Sequence, residues 1–137
     1  MKIFDATLST LERALDVRLA RQNVLSGNLA NANTPGFVGQ DLDFEAAMAA
    51  APGADAPAPA AAMREGDLPV TGRIAPGAPE GFIRDDPASA PGLDGNAVDV
   101  DRTLGAVAEN AIQYGAAAKA ASKKLAILRY VASDGAA

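Results

Sequence analysis

Three carboxylates stand at alternate positions in the stretch Asp41-Leu42-Asp43-Phe44-Glu45, and their spacing is the one most suited to chemistry in this sequence. On an extended strand the three acids would point to one side, where they could bind a calcium ion. An EF-hand calcium loop, however, requires a central glycine and a distant bidentate glutamate, and this stretch has neither. The simpler interpretation, which we favour, is a solvated strand face whose opposite side packs Leu42 and Phe44.

The residue types that most often carry catalysis are missing from the 137-residue sequence, which contains no histidine and no cysteine. A Ser-His-Asp triad, a thiolate metal site and a disulfide are therefore impossible, and the commonest general base is lacking. Neither Gly-x-x-x-x-Gly-Lys nor Gly-x-Gly-x-x-Gly occurs to cradle a phosphate. We therefore expect a protein that is not an enzyme and that uses no cofactor or metal.

The net charge of −5 disfavours nucleic acid as a partner, because binding a polyanion requires a clustered basic surface. The nearest approach to such a cluster is the group Lys119, Lys123, Lys124 and Arg129 near the C-terminus. We interpret it as a solvated face near the end of a helix, where cations suit the helix dipole.

Membrane insertion and a cleaved secretory signal are also disfavoured. Asp5 and Glu12 interrupt what would be the apolar segment of a signal peptide. No apolar run approaches the length of a membrane span. A helix lying on a membrane usually opposes a bulky apolar face to a basic one, whereas the first segment mixes acids with arginines.

An amphipathic helix is predicted from about Asp5 to Asn31. Alternating steps of four and three residues give a coiled-coil-like stripe that is mostly apolar, with Arg18 and Gln22 in its middle. These two polar residues either set the register against a polar neighbour or mark a solvated part of the seam. The apolar positions, which we expect to pack, are Leu8, Leu11, Leu15, Leu25 and Leu29. Val17, Leu19 and Val24 lie off the stripe and indicate a second contact face.

The helix is expected to stop in the stretch Asn28-Leu29-Ala30-Asn31-Ala32-Asn33-Thr34-Pro35-Gly36-Phe37, which is dense in terminating residues. Asparagine tolerates the left-handed conformation at a helix end, and Pro35-Gly36 fits the central pair of a type II turn. Phe37 to Phe44 is then predicted to be extended, with a short helix from Glu45 to Met48.

The middle of the chain, residues 50–96, differs in kind because it contains eight of the nine prolines among many alanines and glycines. Regular helix is not sustainable at this proline density, so we expect a mostly flexible segment in an isolated subunit. Leu68-Pro69-Val70 and Phe82-Ile83 are the places where its bulky apolar residues lie closest together. These residues could dock on the rest of the protein or pair as short strands, but only weakly on their own.

A second long helix is predicted from about Asp99 to Ala132. The same stepping gives ten positions that are all apolar or aromatic: Val100, Leu104, Val107, Ala111, Tyr114, Ala118, Ala121, Leu125, Leu128 and Ala132. Of these, Leu104, Val107, Tyr114, Leu125 and Leu128 are the predicted packing residues. The helix is longer than its partner, and Ile112, Ile127 and Val131 fall on other faces. We therefore expect that part of its apolar surface is covered only when another chain packs against it.

Together these patterns predict a mainly α fold in which two long terminal helices form a coiled-coil-like α-hairpin around an irregular or short-β middle. The predicted organisation is an N-terminal helix over residues 1–33, a turn and extended segment over 34–49, a flexible region over 50–96, and a C-terminal helix over 97–137.

The asparagine-rich stretch from Asn28 to Phe37 closely resembles the N-terminal motif of the flagellar axial proteins of the rod and hook. Asp41-Leu42-Asp43-Phe44 is similar to the B-type proximal members of the basal-body rod family. Asp94-Gly95-Asn96-Ala97-Val98-Asp99-Val100-Asp101 and Glu109-Asn110-Ala111-Ile112-Gln113-Tyr114 resemble their C-terminal helix. The sequence departs from the family at Ala97, where asparagine is common, and at Thr103-Leu104, where Glu-Met is frequent.

The resemblance implies a structural subunit of the flagellar basal-body rod, which assembles helically and transmits torque across the periplasm. It implies export from the cytoplasm through the flagellar type III apparatus without a cleaved signal peptide. The implied partners are other copies of the chain, other rod proteins, the basal-body adaptor and the export gate. The implied assembly motif is Asn28, Asn31, Asn33, Thr34, Pro35, Gly36, Phe37, Asp43 and Phe44. The competing interpretation is a cytoplasmic coiled-coil adaptor with a disordered hinge, which has no need of the asparagine motif.

Overall fold

A computed structural model describes residues 6–50, 79–87, 89 and 97–133. Its elements follow in the order helix α1 Ala6–Ala30, strand β1 Gln40–Leu42, helix α2 Phe44–Ala49, a 3₁₀ helix Pro79–Phe82, strand β2 Ile83–Asp85 and helix α3 Val100–Ala132. The mainly α fold with two long terminal helices is confirmed. The possible strand at Leu68-Pro69-Val70 lies outside the described residues.

The end of α1 is built by the asparagine stretch. The backbone N–H of Asn31 donates to the carbonyl of Gly27 at 3.1 Å, and its side-chain Nδ2 donates to the same carbonyl at 2.9 Å. The chain then reverses where the N–H of Phe37 donates to the carbonyl of Thr34 at 3.1 Å. Gly36, the third residue of this turn, has a φ of +76°. The predicted type II turn is confirmed, since that turn requires a positive φ at its third position.

Strands β1 and β2 pair antiparallel although they lie far apart in the sequence. Leu42 is opposite Ile83, and the N–H of Asp43 extends the ladder by donating to the carbonyl of Phe82 at 3.0 Å. Phe82, which directly precedes β2, is buried beneath this pair of strands. The possible pairing of Phe82-Ile83 is thus confirmed, but the contact is part of the core rather than a weak surface docking.

One face of α1 carries the core. Val17 is fully buried and packs with Ala20, Leu42, Ala47 and Phe82. Because these residues come from α1, β1, α2 and the 3₁₀ helix, the short elements form one layer against this helix. The predicted second contact face is therefore confirmed at Val17. Leu19 does not belong to it and is 53% exposed.

The other side of α1 packs against α3 in an antiparallel hairpin. Asn110 contacts Arg18 and Gln22, and Thr103 lies near Leu25 and Asn28, so α3 runs back along α1. With Asn110 level with Arg18, α3 continues past the first described residue of α1 by about ten residues, or roughly 15 Å.

The residues of α3 that face α1 are not those of the predicted stripe. Thr103 and Asn110 are buried, whereas Leu104, Tyr114 and Leu125 are exposed. The seam is therefore rotated by about one residue, roughly 100° around the helix, from part of the predicted stripe. So many positions of α3 are alanine that several neighbouring stripes look equally apolar, and helices can approach closely along whichever one carries small side chains.

Candidate assembly site

Asn28 joins the helix end to the first strand. Its Oδ1 accepts the N–H of Gln40 at 2.9 Å, and its Nδ2 donates to the carbonyl of Gln40 at 2.6 Å. The amide thus pairs with the main chain as a neighbouring strand would, and it does so while buried. Asn28 therefore fixes the direction in which the chain leaves the turn.

The remaining residues of the predicted assembly motif divide into an internal set, which forms hydrogen bonds within the helix end and turn, and an external set, which is exposed at the tip. Asn31 caps α1, and its Oδ1 accepts a hydrogen bond of 3.3 Å from Thr34 Oγ1. Asn33, Pro35 and Gly36 are exposed at the tip of the turn. Among the described residues, the side chain of Asn33 forms no hydrogen bond. Phe37, after the turn, is half-buried.

The three carboxylates after the turn do not share one strand face, contrary to the prediction. Asp41 forms a bidentate ion pair with Arg21 of α1, at 2.9 and 2.8 Å. Asp43 leaves the strand and caps α2 by accepting the N–H of Ala46 at 3.0 Å. Glu45 lies in the first turn of that helix. The prediction failed because a carboxylate preceding a helix accepts its unpaired N–H groups, which ends the strand.

The ion pair changes the pKa of both Asp41 and Arg21. Partial burial raises the pKa of the Asp41 carboxyl, but the hydrogen bonds from Arg21 and the backbone of Leu42, with the nearby positive charges, outweigh this. The net pKa of Asp41 lies below its ordinary value, and that hydrogen bond raises the pKa of Arg21. The pair therefore stays charged and ties β1 to α1.

Phe44 connects the short layer to the hairpin seam. Its ring lies under the guanidinium of Arg18, with 4.4 Å between the guanidinium carbon and the ring centre. Arg18 also donates to Oε1 of Gln113 on α3. Burial, together with the neighbouring charge of Arg21, lowers the pKa of Arg18. The Arg18 side chain thus contacts both α2 and α3. Of the two alternatives predicted for Arg18, the structure shows contact with a polar neighbour, Gln113.

Asn110 forms the centre of the seam. Its Nδ2 donates to the carbonyl of Arg18 at 2.9 Å and to Oε1 of Gln22 at 3.0 Å, and the residue is 1% exposed. Its Oδ1 is buried without a hydrogen-bond partner. Periodicity did not single out Asn110, because a search for apolar stripes passes over polar residues. The available signal was its place in the Glu109–Tyr114 stretch that resembles the rod family.

A second ionic contact holds the start of α3. Asp99 caps the helix by accepting the N–H of Arg102 at 3.0 Å, and Thr103 Oγ1 donates to the carbonyl of Asp99 at 2.6 Å. The guanidinium of Arg102 pairs with Asp86, just after β2, at 3.0 Å. The strand pair is thereby joined to both long helices.

The predicted packing residues of α1 and α3 are not equally covered. In α1, Leu25 is buried and Leu8, Leu11, Leu15 and Leu29 are half-buried. In α3, Val107 and Leu128 are half-buried, whereas the other three remain exposed: Leu104, Tyr114 and Leu125.

The three exposed residues lie on one uncharged strip of α3 that also contains half-buried positions, and we call this strip the neutral flank of α3. It is composed of Val100, Leu104, Val107, Ala111, Tyr114, Ala118 and Leu125. At about 100° per residue, this strip lies beside the α1 seam, on the side away from Arg102 and Glu109. The charged residues of α3 before Arg129 all lie outside the strip: Asp101, Arg102, Glu109, Lys119, Lys123 and Lys124.

In the part of the chain that the structure describes, no helix is both long enough and apolar enough to cross a membrane. Within the same residues, no three carboxylate side chains come together in an arrangement that could hold a metal ion.

Comparison with known proteins agrees with the geometry of the turn and the hairpin. A family model described as "Flagella basal body rod protein" matches residues 8–37. The flagellar basal body rod protein FlgB of Escherichia coli is 37% identical over 114 residues, covering 80% of each chain. FlgB of Yersinia enterocolitica is 32% identical over 124 residues, covering 80% of this chain and 81% of its own. FlgB of Cereibacter sphaeroides is 36% identical over 117 residues, covering 81% of each.

Similarity at this level over four-fifths of the chain establishes a common family rather than a shared helical pattern alone. It also removes the competing interpretation of a cytoplasmic adaptor. The chain belongs to the FlgB family of flagellar basal body rod proteins.

Proposed function

We propose that this chain is a structural subunit of the proximal flagellar rod and that the neutral flank of α3 is the surface it buries on assembly. The observation that carries the proposal is the unequal covering of the two long helices. Helix α1 is packed on one face by the short layer and on another by α3. Helix α3, which is longer, leaves Leu104, Tyr114 and Leu125 exposed.

An exposed apolar strip of this length is unfavourable for a subunit that stays alone in water. Burying apolar surface stabilises a complex by about 25 cal/mol per Å², so the strip provides a driving force once a neighbour covers it. Because the strip carries no charge, a neighbouring helix can pack along it without burying an unpaired ion. The flank on the other side of α3 carries Arg102, whose ion pair with Asp86 holds the short layer.

The turn and strand complete the mechanical unit. Asn28 and the Arg21–Asp41 pair fix the strand to α1, and the Arg102–Asp86 pair fixes it to α3. A subunit whose two helices are cross-connected in this way resists twisting of one helix relative to the other. That rigidity is what transmission of torque requires.

The finer parts of the proposal concern location and partners. We expect the subunit to leave the cytoplasm through the flagellar type III export apparatus without losing a signal peptide. We expect it to contact other copies, other rod proteins, the basal-body adaptor and the export gate. Membership of a rod protein family supports this location, and the exposed tip Asn33–Gly36 offers a further contact surface.

The proposal is tested by placing a charge in the neutral flank. Leu125→Asp should leave the isolated chain folded, because the side chain is already half exposed, but should abolish rod assembly. An unpaired charge buried in an interface costs several kcal/mol, on the order of 3–5. The measurements are swimming motility and recovery of the chain in purified basal bodies, in a strain that carries only the variant.

Ala116→Asp is the matched control, since Ala116 is exposed on the opposite side of α3 and outside the neutral flank. Normal motility is expected for this variant. Full motility and normal incorporation of Leu125→Asp would remove the neutral flank from the interface.

A further inference from the structure

The charges of α3 are unevenly distributed along its length. From Asn110 to Ala132 the helix contains no acidic residue, yet it carries four cations: Lys119, Lys123, Lys124 and Arg129. Cations near a helix C-terminus suit the dipole, but the favourable effect is confined to the last turn. Lys119 and Lys123 lie more than two turns before the end, so the dipole does not account for them.

Two of these lysines lie among exposed apolar side chains on one side of α3. At about 100° per residue, all members of this row fall within about 80° of one another, and we call the row the outer strip: Ile112, Lys119, Lys123, Ile127 and Tyr130. Ile112 is 74% exposed, and Ile127 and Tyr130 are each 57% exposed. The outer strip lies on the side of α3 away from the neutral flank, and its exposure shows that the described part of the chain leaves it uncovered.

The last two turns of α3 are apolar around the whole circumference. Between Leu125 and Val131, Arg129 is the one charged residue. Tyr130 and Val131 are more than half exposed, and so is Leu125, which lies on the opposite side from Tyr130. This part of the helix extends past the first described residue of α1. A protein packed against one side would leave the other side in water, whereas a lipid interface surrounds the side chains that enter it.

The composition of the outer strip matches the surface of a membrane that contains anionic lipid. Helices that lie in such an interface combine Lys and Arg, which meet headgroup phosphates, with apolar side chains that enter the acyl boundary. Lysine stems lie along the apolar layer while their ammonium groups reach the headgroups. Tyrosine, with an apolar ring and a polar hydroxyl, is enriched at this depth. Nucleic acid supplies negative charge but no apolar layer, so it would leave Ile127 in water.

The acidity of the whole chain, with its net charge of −5, does not prevent this contact. The acidic residues of α3 lie in its first part, at Asp101 and Glu109. Asp101 and Lys123 are 22 residues apart on one helix, a distance of roughly 33 Å. Since the Debye length is about 8 Å at physiological ionic strength, repulsion between Asp101 and an anionic surface that touches Lys123 is screened.

We propose that the outer strip docks on a membrane surface that contains anionic phospholipid. Ile127 and Tyr130 enter the acyl boundary, and Lys119 and Lys123 contact the headgroup phosphates. The inference goes beyond the proposed rod function, because it gives the chain a lipid partner in addition to its protein neighbours. The neutral flank lies on the other side of α3, so the same helix can lie against lipid on one side and against protein on the other.

The charge component is tested by sedimenting the full-length purified chain with vesicles. Vesicles of phosphatidylcholine and phosphatidylglycerol in equal amounts should bind it about tenfold or more tighter than vesicles of phosphatidylcholine alone. Lys119→Gln with Lys123→Gln should weaken binding to the mixed vesicles about 25-fold, which is about fivefold for each lysine. Arg84→Gln removes an exposed cation of β2 and should leave binding unchanged, in contrast to Lys123→Gln alone.

The apolar component is tested by Ile127→Ser with Tyr130→Ser, which should weaken binding by about tenfold or more because less apolar surface leaves water. Leu104→Ser is the matched control. Leu104 is also an exposed apolar residue of α3, but it lies on the neutral flank in the first part of the helix. This variant should bind like the wild type. Circular dichroism establishes that each variant is folded.

Because the chain has no tryptophan, a single introduced indole reports which side of α3 enters the lipid. The fluorescence of Tyr130→Trp should move to shorter wavelength when mixed vesicles are added. Tyr114→Trp, on the neutral flank, should show no shift. Both variants keep every charge of the chain, so they test the contact even if a lysine variant fails to fold.

Equal binding to both kinds of vesicle, or binding to neither, would overturn the proposal. Binding that added salt removes completely, with no shift for Tyr130→Trp, would also overturn it, because the chain would then adsorb through charge alone. Retention on immobilised polyglutamate without binding to vesicles would assign the outer strip to an acidic protein partner instead. Motility and incorporation into basal bodies test the proposed function separately, so either proposal can fail while the other stands.

Discussion

The side-chain amide of Asn28 pairs with both main-chain polar groups of Gln40, twelve residues further along the chain, through hydrogen bonds of 2.9 and 2.6 Å. This pairing gives a structural reason for the first asparagine of the motif. The buried side chain of Asn28 meets these two main-chain groups, and among the described residues no strand pairs with Gln40 on that side. The asparagine takes the place of that strand and joins the end of α1 to the start of β1.

Asn28→Ala should therefore destabilise the chain by about 2 kcal/mol, because it leaves two polar groups of Gln40 without their partner. Urea unfolding followed by circular dichroism measures the loss. Asn33→Ala, an exposed residue of the same motif, serves as the control and should change stability by less than about 0.5 kcal/mol. Equal effects of the two substitutions would contradict the division of the motif into internal and external residues.

Two glycines should respond to alanine with opposite signs. Gly36 has a φ of +76°, so Gly36→Ala should cost about 1 kcal/mol through backbone strain. Gly27 lies in α1 with no atom within 4 Å of an added Cβ, and Gly27→Ala should stabilise the chain by about 0.5–1 kcal/mol. Thermal unfolding of the two variants tests the pair. A stabilised Gly36→Ala would show that the turn relaxes to a negative φ without loss.

Much of the fold follows from local sequence patterns. The long helices, the turn at Pro35-Gly36 and the short helix near Glu45–Met48 all depend on residues close together in the chain. Such patterns predict element type well because capping, turn geometry and periodicity are local effects. The pairing of β1 with β2 was only a weak suggestion, since it depends on contacts between residues some forty positions apart.

The seam of the hairpin shows where a pattern fails. The predicted stripe through Leu104 and Leu125 was chosen because it is apolar, but the buried seam contains Thr103 and Asn110. In a helix so rich in alanine, apolar periodicity does not distinguish one strip from the next. What decides the orientation is the specific hydrogen bonding of Asn110 to Arg18 and Gln22, which periodicity does not register.

The Arg21–Asp41 ion pair should make stability depend on acidity. The pKa of Asp41 is lower in the folded chain than its ordinary value, so the unfolded chain holds the proton more tightly. Stability therefore rises with pH: the contribution is complete above the unfolded pKa of about 3.9 and is lost as the pH falls through the folded value. Asp41→Asn should cost about 1 kcal/mol at neutral pH, given the partial exposure of the pair.

Thermal unfolding of wild type and Asp41→Asn across this acidic range provides the measurement. The difference between the two chains should shrink as the pH falls and the carboxyl of the wild type becomes protonated. Asp16→Asn, an exposed acid of α1 away from β1, is the control and should give no comparable trend. A difference that stays constant over the whole range would show that Asp41 acts through packing rather than charge.

The buried amide of Asn110 is expected to specify the hairpin more than it stabilises it. Its Oδ1 has no hydrogen-bond partner, so Asn110→Leu removes a desolvated polar atom and should leave stability unchanged or raise it by about 1 kcal/mol. A single polar residue in an apolar helix seam can nevertheless fix the register, because a shift would bury its donor without an acceptor. The leucine variant should therefore allow α3 to slide along α1.

Since the chain has no cysteine, the register can be read by disulfide trapping. Arg18 meets Gln113 across the seam, and Ala14 and Ala117 each lie about one turn further along their helices on the same side. A cysteine pair at Ala14 and Ala117 therefore reports the native register, and a pair at Ala14 and Ala121 reports a shift of one turn. With Asn110 in place only the first pair should close, and with leucine both should. A strongly destabilised leucine variant that still closes only the first pair would show that Asn110 contributes stability and that the hydrogen bond of Arg18 to Gln113 and the Arg102–Asp86 ion pair already define the register.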